Sequence, residues 1–280
     1  MKTILLTSFA VTAFAANSIL CRMALIHEGG VIDPAGFTVV RLLSGALVLW
    51  LLVRGQAADP PPVTTWNWRP GLMLFLYAVP FSFAYQSLNA AVGALILFGA
   101  VQITILAYAL WTQGRLAPLE WLGGALALGG FAYLMAPNAS APAIGGSALM
   151  VLAGVAWGVY TLLGKGSKNP LADTAYNFRQ TIPLAILTGL VMVSQANYSP
   201  TGVLLAALSG GLASGVGYAV WYAALRGLSA TQAAIVQLAA PPLAGLGGMI
   251  FLGDPLTQQW MIASALILGG IAVVVRGKRK

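Results

Sequence analysis

Asn17, Gln102 and Gln237 each lie inside a long apolar stretch of this chain. A carboxamide offers both donors and acceptors, so amides in apolar surroundings can meet a zwitterion or an amide-bearing small molecule. The alternative is that they bond one helix to another, a contact worth about 1 kcal/mol in a membrane. Aromatic residues gather in the same regions. Phe75, Tyr77, Phe81, Phe83 and Tyr85 share one stretch, Trp157 and Tyr160 a second, and Tyr218, Trp221 and Tyr222 a third. Aromatics near the ends of such stretches have a plain interfacial role, but Tyr77 and Tyr218 lie farther in. Together Asn17, Tyr77, Gln102, Trp157, Tyr160, Tyr218 and Gln237 form the candidate substrate-cavity set. It suits a modestly hydrophobic solute better than a sugar phosphate.

Charges and prolines add a second group. Arg41 and Arg179 each sit one to two turns into an apolar run. A long arginine can carry its head to an interface or tie a helix end to carbonyls. Their matching positions favour a scaffold and orientation role, shared with Lys165. Pro80, Pro183 and the Pro241-Pro242 pair are candidate helix hinges, because proline leaves a carbonyl unpaired; static kinks are the other reading. Glu120, Asp173 and Asp254 lie at the edges of runs, not in their middles. A buried carboxylate would be the simplest proton relay, so proton coupling is left open. One cysteine, Cys21, excludes an intramolecular disulfide, and His27 is the single histidine. With no Gly-Lys-Ser/Thr phosphate loop and no nucleophile or acid–base cluster, neither a catalytic site, a metal site nor a cofactor is expected.

These residues need elements to hold them. The 280 residues are 59% hydrophobic and 7% charged, against about 25% charged in a soluble domain. A soluble core has too little interior to hide so many apolar segments, and lipid does not require it to. The net charge of +8 comes from basic residues placed mostly singly at the ends of apolar runs. That is a topology signal, not a nucleic-acid footprint. Ten runs stand out, over 3–22, 35–53, 70–87, 90–111, 118–136, 144–163, 173–193, 201–224, 230–251 and 258–275. Each approaches the roughly 20 residues that cross a bilayer as a helix, and none shows the alternation of a membrane strand. The expected fold is all-α, polytopic, with ten transmembrane helices.

With the N-terminus in the cytoplasm, Lys2, Arg54, Arg69, Arg115, Lys165, Lys168, Arg226, Arg276, Lys278, Arg279 and Lys280 fall on the cytoplasmic side and Arg22 outside. Both termini are therefore expected in the cytoplasm, in an inner (plasma) membrane. The front of the chain also has the look of a secretory signal, with Lys2 and an apolar run ending in Ala13-Phe14-Ala15.

Internal symmetry argues that this first helix is kept. Leu88 through Gly130 aligns without a gap with Leu228 through Gly270, Arg41 aligns with Arg179, and Phe14–Asn17 with Arg22 aligns with Trp157–Tyr160 with Lys165. The first helix thus has a partner in the sixth, which is too deep in the chain to be a signal. Five spans per copy is odd, so two copies must lie inverted in the bilayer. The expected organisation is a 5+5 inverted repeat: residues 1–137, residues 143–275, and a basic tail 276–280. Gly154–Gly158 and Gly211–Gly215 are spaced for close helix approach.

Several of these motifs resemble the drug/metabolite transporter superfamily, specifically its EamA-like ten-helix carriers. They are Asn17–Arg22, Pro34 to Arg41, Trp157-Gly158 with Lys165, and Ala239-Ala240-Pro241-Pro242 with Phe251-Leu252-Gly253-Asp254. Phe14-Ala15 replaces the family's usual Trp-Gly in the first half. The resemblance implies a central cavity and a secondary transporter of small organic metabolites, with amino acids or related compounds favoured and export the commoner direction. Its partners would be a small-molecule substrate and the lipid bilayer, with no nucleic acid. A channel or a scaffold protein is the alternative, and a membrane enzyme acting on lipids a weaker one.

Overall fold

The computed structural model describes residues 2–26, 31–55, 67–113, 118–134, 136, 142–165, 167–228, 236–237 and 239–277. Ten helices of 13 residues or more run through them: α1 (Lys2–Ile26), α2 (Pro34–Arg54), α3 (Arg69–Ala84), α4 (Ala90–Gln113), α5 (Pro118–Leu134), α6 (Ile144–Gly164), α7 (Pro170–Val191), α8 (Pro200–Leu225), α9 (Ala240–Leu252) and α10 (Gln258–Gly277). The runs read from sequence match these ends to within a few residues, except at the ninth. There, the front of 230–251 lies largely outside the described residues, as do His27, Arg115, most of the 137–142 link and residues 278–280.

Five helices are long and apolar enough to cross a membrane by length and composition: Thr3–Ile26, Pro34–Arg54, Ala90–Thr112, Ile144–Gly164 and Pro200–Leu225. Arg69–Ala84, Trp121–Leu134 and Ala240–Leu252 are apolar and shorter. Side chains such as Leu47, Trp50, Trp111, Leu204 and Phe251 point outward and exposed, while Asn17, Thr38, Arg41, Ser82, Ser209, Ser214 and Gln237 are buried. Apolar outside and polar inside is the arrangement lipid selects. The protein is a multi-pass membrane protein.

Helix starts follow from local chemistry. The Asp33 carboxylate accepts the Gly36 N–H at 2.8 Å, Asn169 accepts that of Ala172 at 3.2 Å, and Ser199 that of Gly202 at 3.0 Å. A proline follows each cap, where its missing N–H would have no helical partner. Thr38 and Thr174 then donate back to the carbonyls of Pro34 and Pro170. Counted from these caps, the residue of α7 that matches Arg41 is Asn177, not Arg179. The expected equivalence of the two arginines is thereby corrected. Two residues of helix turn the side chain by about 200°, so Arg179 emerges exposed beside the Tyr176 ring while Arg41 is buried. Pro80 and Pro183 lie inside α3 and α7, whereas Pro241 and Pro242 occupy the first turn of α9. Gly253, at φ 66°, ends α9 in the left-handed conformation that glycine adopts freely.

The two halves pack through each other. α6 lies on α3 and α4, and α1 lies on α8 and α9; α2 meets α7, α4 meets α9, and α5 meets α10. Both expected small-residue pairs sit at such contacts. A Cβ on Gly154 would stand 2.5 Å from the Leu97 carbonyl oxygen and one on Gly158 2.8 Å from Thr104, so α6 approaches α4 through bare backbone. Gly211 and Gly215 do the same for α8 against Val48 and Gly45 of α2. In α8, Ser209–Val216 is wound as a π-helix, a rare form that is frequent at functional sites. Phe14, Asn17 and Cys21 of α1 are buried in the bundle.

Both ends of the bundle are tied. At one end Arg22 donates to the Tyr85 carbonyl at 2.7 Å, Asp254 accepts the Ala90 N–H at 2.9 Å, and Asp33 accepts the Asn197 N–H at 3.0 Å beside an Ile32–Tyr198 bridge. At the other, Arg226 donates to the carbonyls of Ser167 and Lys168. Partial burial and the neighbouring Asp33 carboxylate raise the pKa of the Tyr198 phenol, which keeps it neutral.

Candidate functional site

α1, α3, α4, α6 and α8 converge on one cavity, lined by Phe14, Asn17, Tyr77, Phe81, Leu97, Phe98, Trp157 and Tyr218. The space between them is ≈ 10 Å³, room for about one water molecule. Its aromatic wall is continuous. Trp157 stands 4.5 Å from Tyr218, 5.0 Å from Tyr77 and 5.6 Å from Phe14, ring centre to ring centre. The Phe14 contact is edge to face at 79°, a favourable pairing of ring edge and π face.

Polar groups meet on one side of this wall. The Asn17 amide donates to the Tyr77 hydroxyl at 3.0 Å, and its carbonyl oxygen accepts from Ser209 at 2.5 Å and Ser214 at 3.4 Å. The π segment supplies both serines. The Tyr218 hydroxyl lies 3.1 Å from that of Tyr77. Arg41, only 1% exposed, closes the group. Its Nε donates to Ser214 at 3.0 Å, and one Nη2 donates to Tyr77 at 3.0 Å and Tyr218 at 2.8 Å. The guanidinium also lies over the Tyr77 and Phe81 rings, at 5.0 and 4.8 Å, a contact worth about 2 kcal/mol when desolvated. Burying a cation is costly. These neutral oxygens and π faces are what offset the cost here.

Four of the seven expected cavity residues line the space: Asn17, Tyr77, Trp157 and Tyr218. Gln237 stands behind them, fully buried, accepting from the Trp157 indole N–H at 3.4 Å. Tyr160 stacks on Trp157 at 5.5 Å, and its hydroxyl accepts from Asn177 at 3.3 Å. Gln102 is buried in α4, one turn from the lining residue Phe98, and is not itself among the lining residues. Lys165 is exposed at the end of α6. Sequence reading missed Ser209, Ser214 and Asn177, and gave Arg41 a scaffold and orientation role, either at an interface or tying a helix end to carbonyls. The available signal for Arg41 was its distance from the Asp33 cap, eight residues, against ten for Arg179 from Asn169.

Known proteins bear on this geometry. Residues 144–276 match the model of the EamA-like transporter family. An uncharacterized protein of Pseudomonas aeruginosa is 48% identical, over 98% of this chain and 94% of its own. The chain belongs to the EamA-like transporter family. As a member it is a transporter of small organic molecules and not an enzyme. Other relatives of this EamA-like transporter are the uncharacterized transporter YwfM of Bacillus subtilis, 28% identical over 88% of this chain and 86% of its own, and the threonine/homoserine exporter RhtA of Escherichia coli, 26% identical over 94% and 92%. A solved crystal structure that is 20% identical superposes with a TM-score of 0.66 over 99% of both chains, so this helical fold has an experimental counterpart.

Proposed function

We propose that this EamA-like transporter is a secondary carrier that exports small organic metabolites, amino acids or close relatives of them, by alternating access. One observation carries the reading. A polar cluster rimmed by aromatics (Asn17, Tyr77, Arg41, Tyr218 and Trp157) is buried where first-half and second-half helices meet, with both ends of the bundle tied shut. A cavity of ≈ 10 Å³ is far too small for an amino acid. Transport therefore needs the bundle to open at one end and then the other. Pro80 and Pro183, inside α3 and α7, are the proposed hinges, with Pro241 and Pro242 at the start of α9.

The proposed frame is a 5+5 inverted repeat, residues 1–137 and 143–275, with a basic tail 276–280 and both termini in the cytoplasm. Reciprocal packing supports it: α1 on α8 and α9, α6 on α3 and α4. So does the contact of Phe14 with Trp157, the residue aligned with it in the second half. The exporter name of RhtA favours the outward direction.

The test is uptake into liposomes holding the purified protein, with labelled amino acids and with or without a proton gradient. Saturable flux is expected, and Asn17→Ala, Trp157→Ala and Gln237→Ala should each lower it at least several-fold. Linear, unsaturable conduction would mean a channel, and the absence of any flux would remove the carrier reading. Gradient dependence decides proton coupling.

A further inference from the structure

We propose that Arg41 is the anchor for a carboxylate on the transported solute, an inference that rests on the carrier reading above. Arginine stays charged in any protein environment, and this one is 1% exposed. Two of its nitrogens are occupied by neutral oxygens, Nε by Ser214 and Nη2 by Tyr77 and Tyr218. The third, Nη1, is buried with no hydrogen-bond partner among the described residues. Among the described residues no carboxylate lies within ion-pair distance of it. The centre of the bundle thus holds a whole positive charge and no countercharge from the described chain.

Hydrogen-bond supply points the same way. Asn17, Arg41 and Tyr218 all donate toward the Tyr77 oxygen, and Arg41 also donates to Tyr218. The two phenols carry two protons, and the bond between their oxygens uses one. Whichever way that bond runs, the other phenol proton has no acceptor among the described residues. With Nη1 the cluster is short of acceptors, while a carboxylate brings two oxygens with about four lone-pair sites and no donor. The cluster is also reachable from the cavity, because Tyr77, Phe81 and Tyr218, all in contact with the guanidinium, form its wall. Parting α3 from α8 would separate the two phenols and free the donors that now bond to each other. A carboxylate would replace the lost bonds. The aromatic side, Phe14, Phe98 and Trp157, would face the rest of the solute.

The experiment compares each acid with its uncharged analogue on the full-length protein. L-leucine and L-threonine, their carboxamides, their decarboxylated amines and 4-methylpentanoate are tested for ligand-induced shift of melting temperature and for competition in liposome counterflow. Carboxylate compounds are expected to be recognised about tenfold or more better than the amides and amines, since a site built for a charged group rejects the analogue lacking it. Arg41→Lys should keep part of that preference and Arg41→Gln should erase it. Amides or amines that compete as well as the acids would overturn the proposal and leave the carrier reading intact, as would an Arg41→Gln protein that still prefers acids. Saturable flux of no compound at all would remove both. The wild-type comparison needs no variant, so it decides alone if the Arg41 variants do not fold.

Discussion

The hydroxyls of Tyr77 and Tyr218 lie 3.1 Å apart, and a single nitrogen of Arg41 donates to both. One tyrosine comes from α3 and the other from α8, so this three-residue contact joins the two halves of the chain at their centre. It couples the separation of the halves to the loss of buried hydrogen bonds, which are costly to leave unmade.

Asn17 bonds to three partners next to that contact, Tyr77, Ser209 and Ser214. Asn17→Ala strips an acceptor from Ser209 and Ser214 and a donor from Tyr77. A loss of about 1–3 kcal/mol in stability is expected, with a larger proportional loss of flux. Because these groups share partners, Asn17→Ala combined with Ser209→Ala should cost clearly less than the two single changes added together. Melting temperatures of the three purified variants check this. Simple additivity would mean that the bond from Ser209 to Asn17 contributes little.

Close helix approach gives a sharper contrast. A methyl at Gly154 would press 2.5 Å from the Leu97 carbonyl, while one at Gly129 would meet nothing within 4 Å. Gly154→Ala should destabilise by about 1–3 kcal/mol through overpacking. Gly129→Ala should be neutral or slightly stabilising, because alanine favours the helix. Equal melting temperatures for the two variants would show that α6 and α4 are less close than described.

Asp33 and Asn169 cap helices in the same way, but Asp33 does more. It accepts from Gly36 and also from Asn197, on the far side of the bundle end. Asn169→Ala should cost about 1 kcal/mol, the usual worth of a cap. Asp33→Ala should cost more and should also loosen the Ile32–Tyr198 bridge. Thermal unfolding of both variants, with hydrogen exchange at residues 196–199, measures the difference.

Orientation is testable with one native thiol out of the way. Cys21 is buried, so cysteines introduced at exposed sites report alone. Tyr198→Cys and Lys165→Cys sit at opposite ends of the bundle and are both exposed. In intact cells an impermeant maleimide should label Tyr198→Cys from outside and leave Lys165→Cys untouched. The reverse pattern would overturn the proposed cytoplasmic termini.

By itself the sequence determined the class, the helix count and most helix ends. Composition and run length dictate these, and each cap or proline acts on its own neighbours. It also determined the polar centre in outline, because an amide such as Asn17 or a tyrosine such as Tyr77 is conspicuous in an apolar run. Only the tertiary structure decided which of these meet. Arg41 and Arg179 look alike in sequence, each one to two turns into a run. A two-residue difference from the helix cap, however, turns one into the core and the other out. Ser209 and Ser214 look like ordinary small residues of a glycine-rich helix until π winding aims them at Asn17 and Arg41. The physical reason is rotation. Apolar periodicity fixes where a helix lies along the chain, but in an all-round hydrophobic helix it does not fix which face turns inward. That choice is made by packing against the other nine.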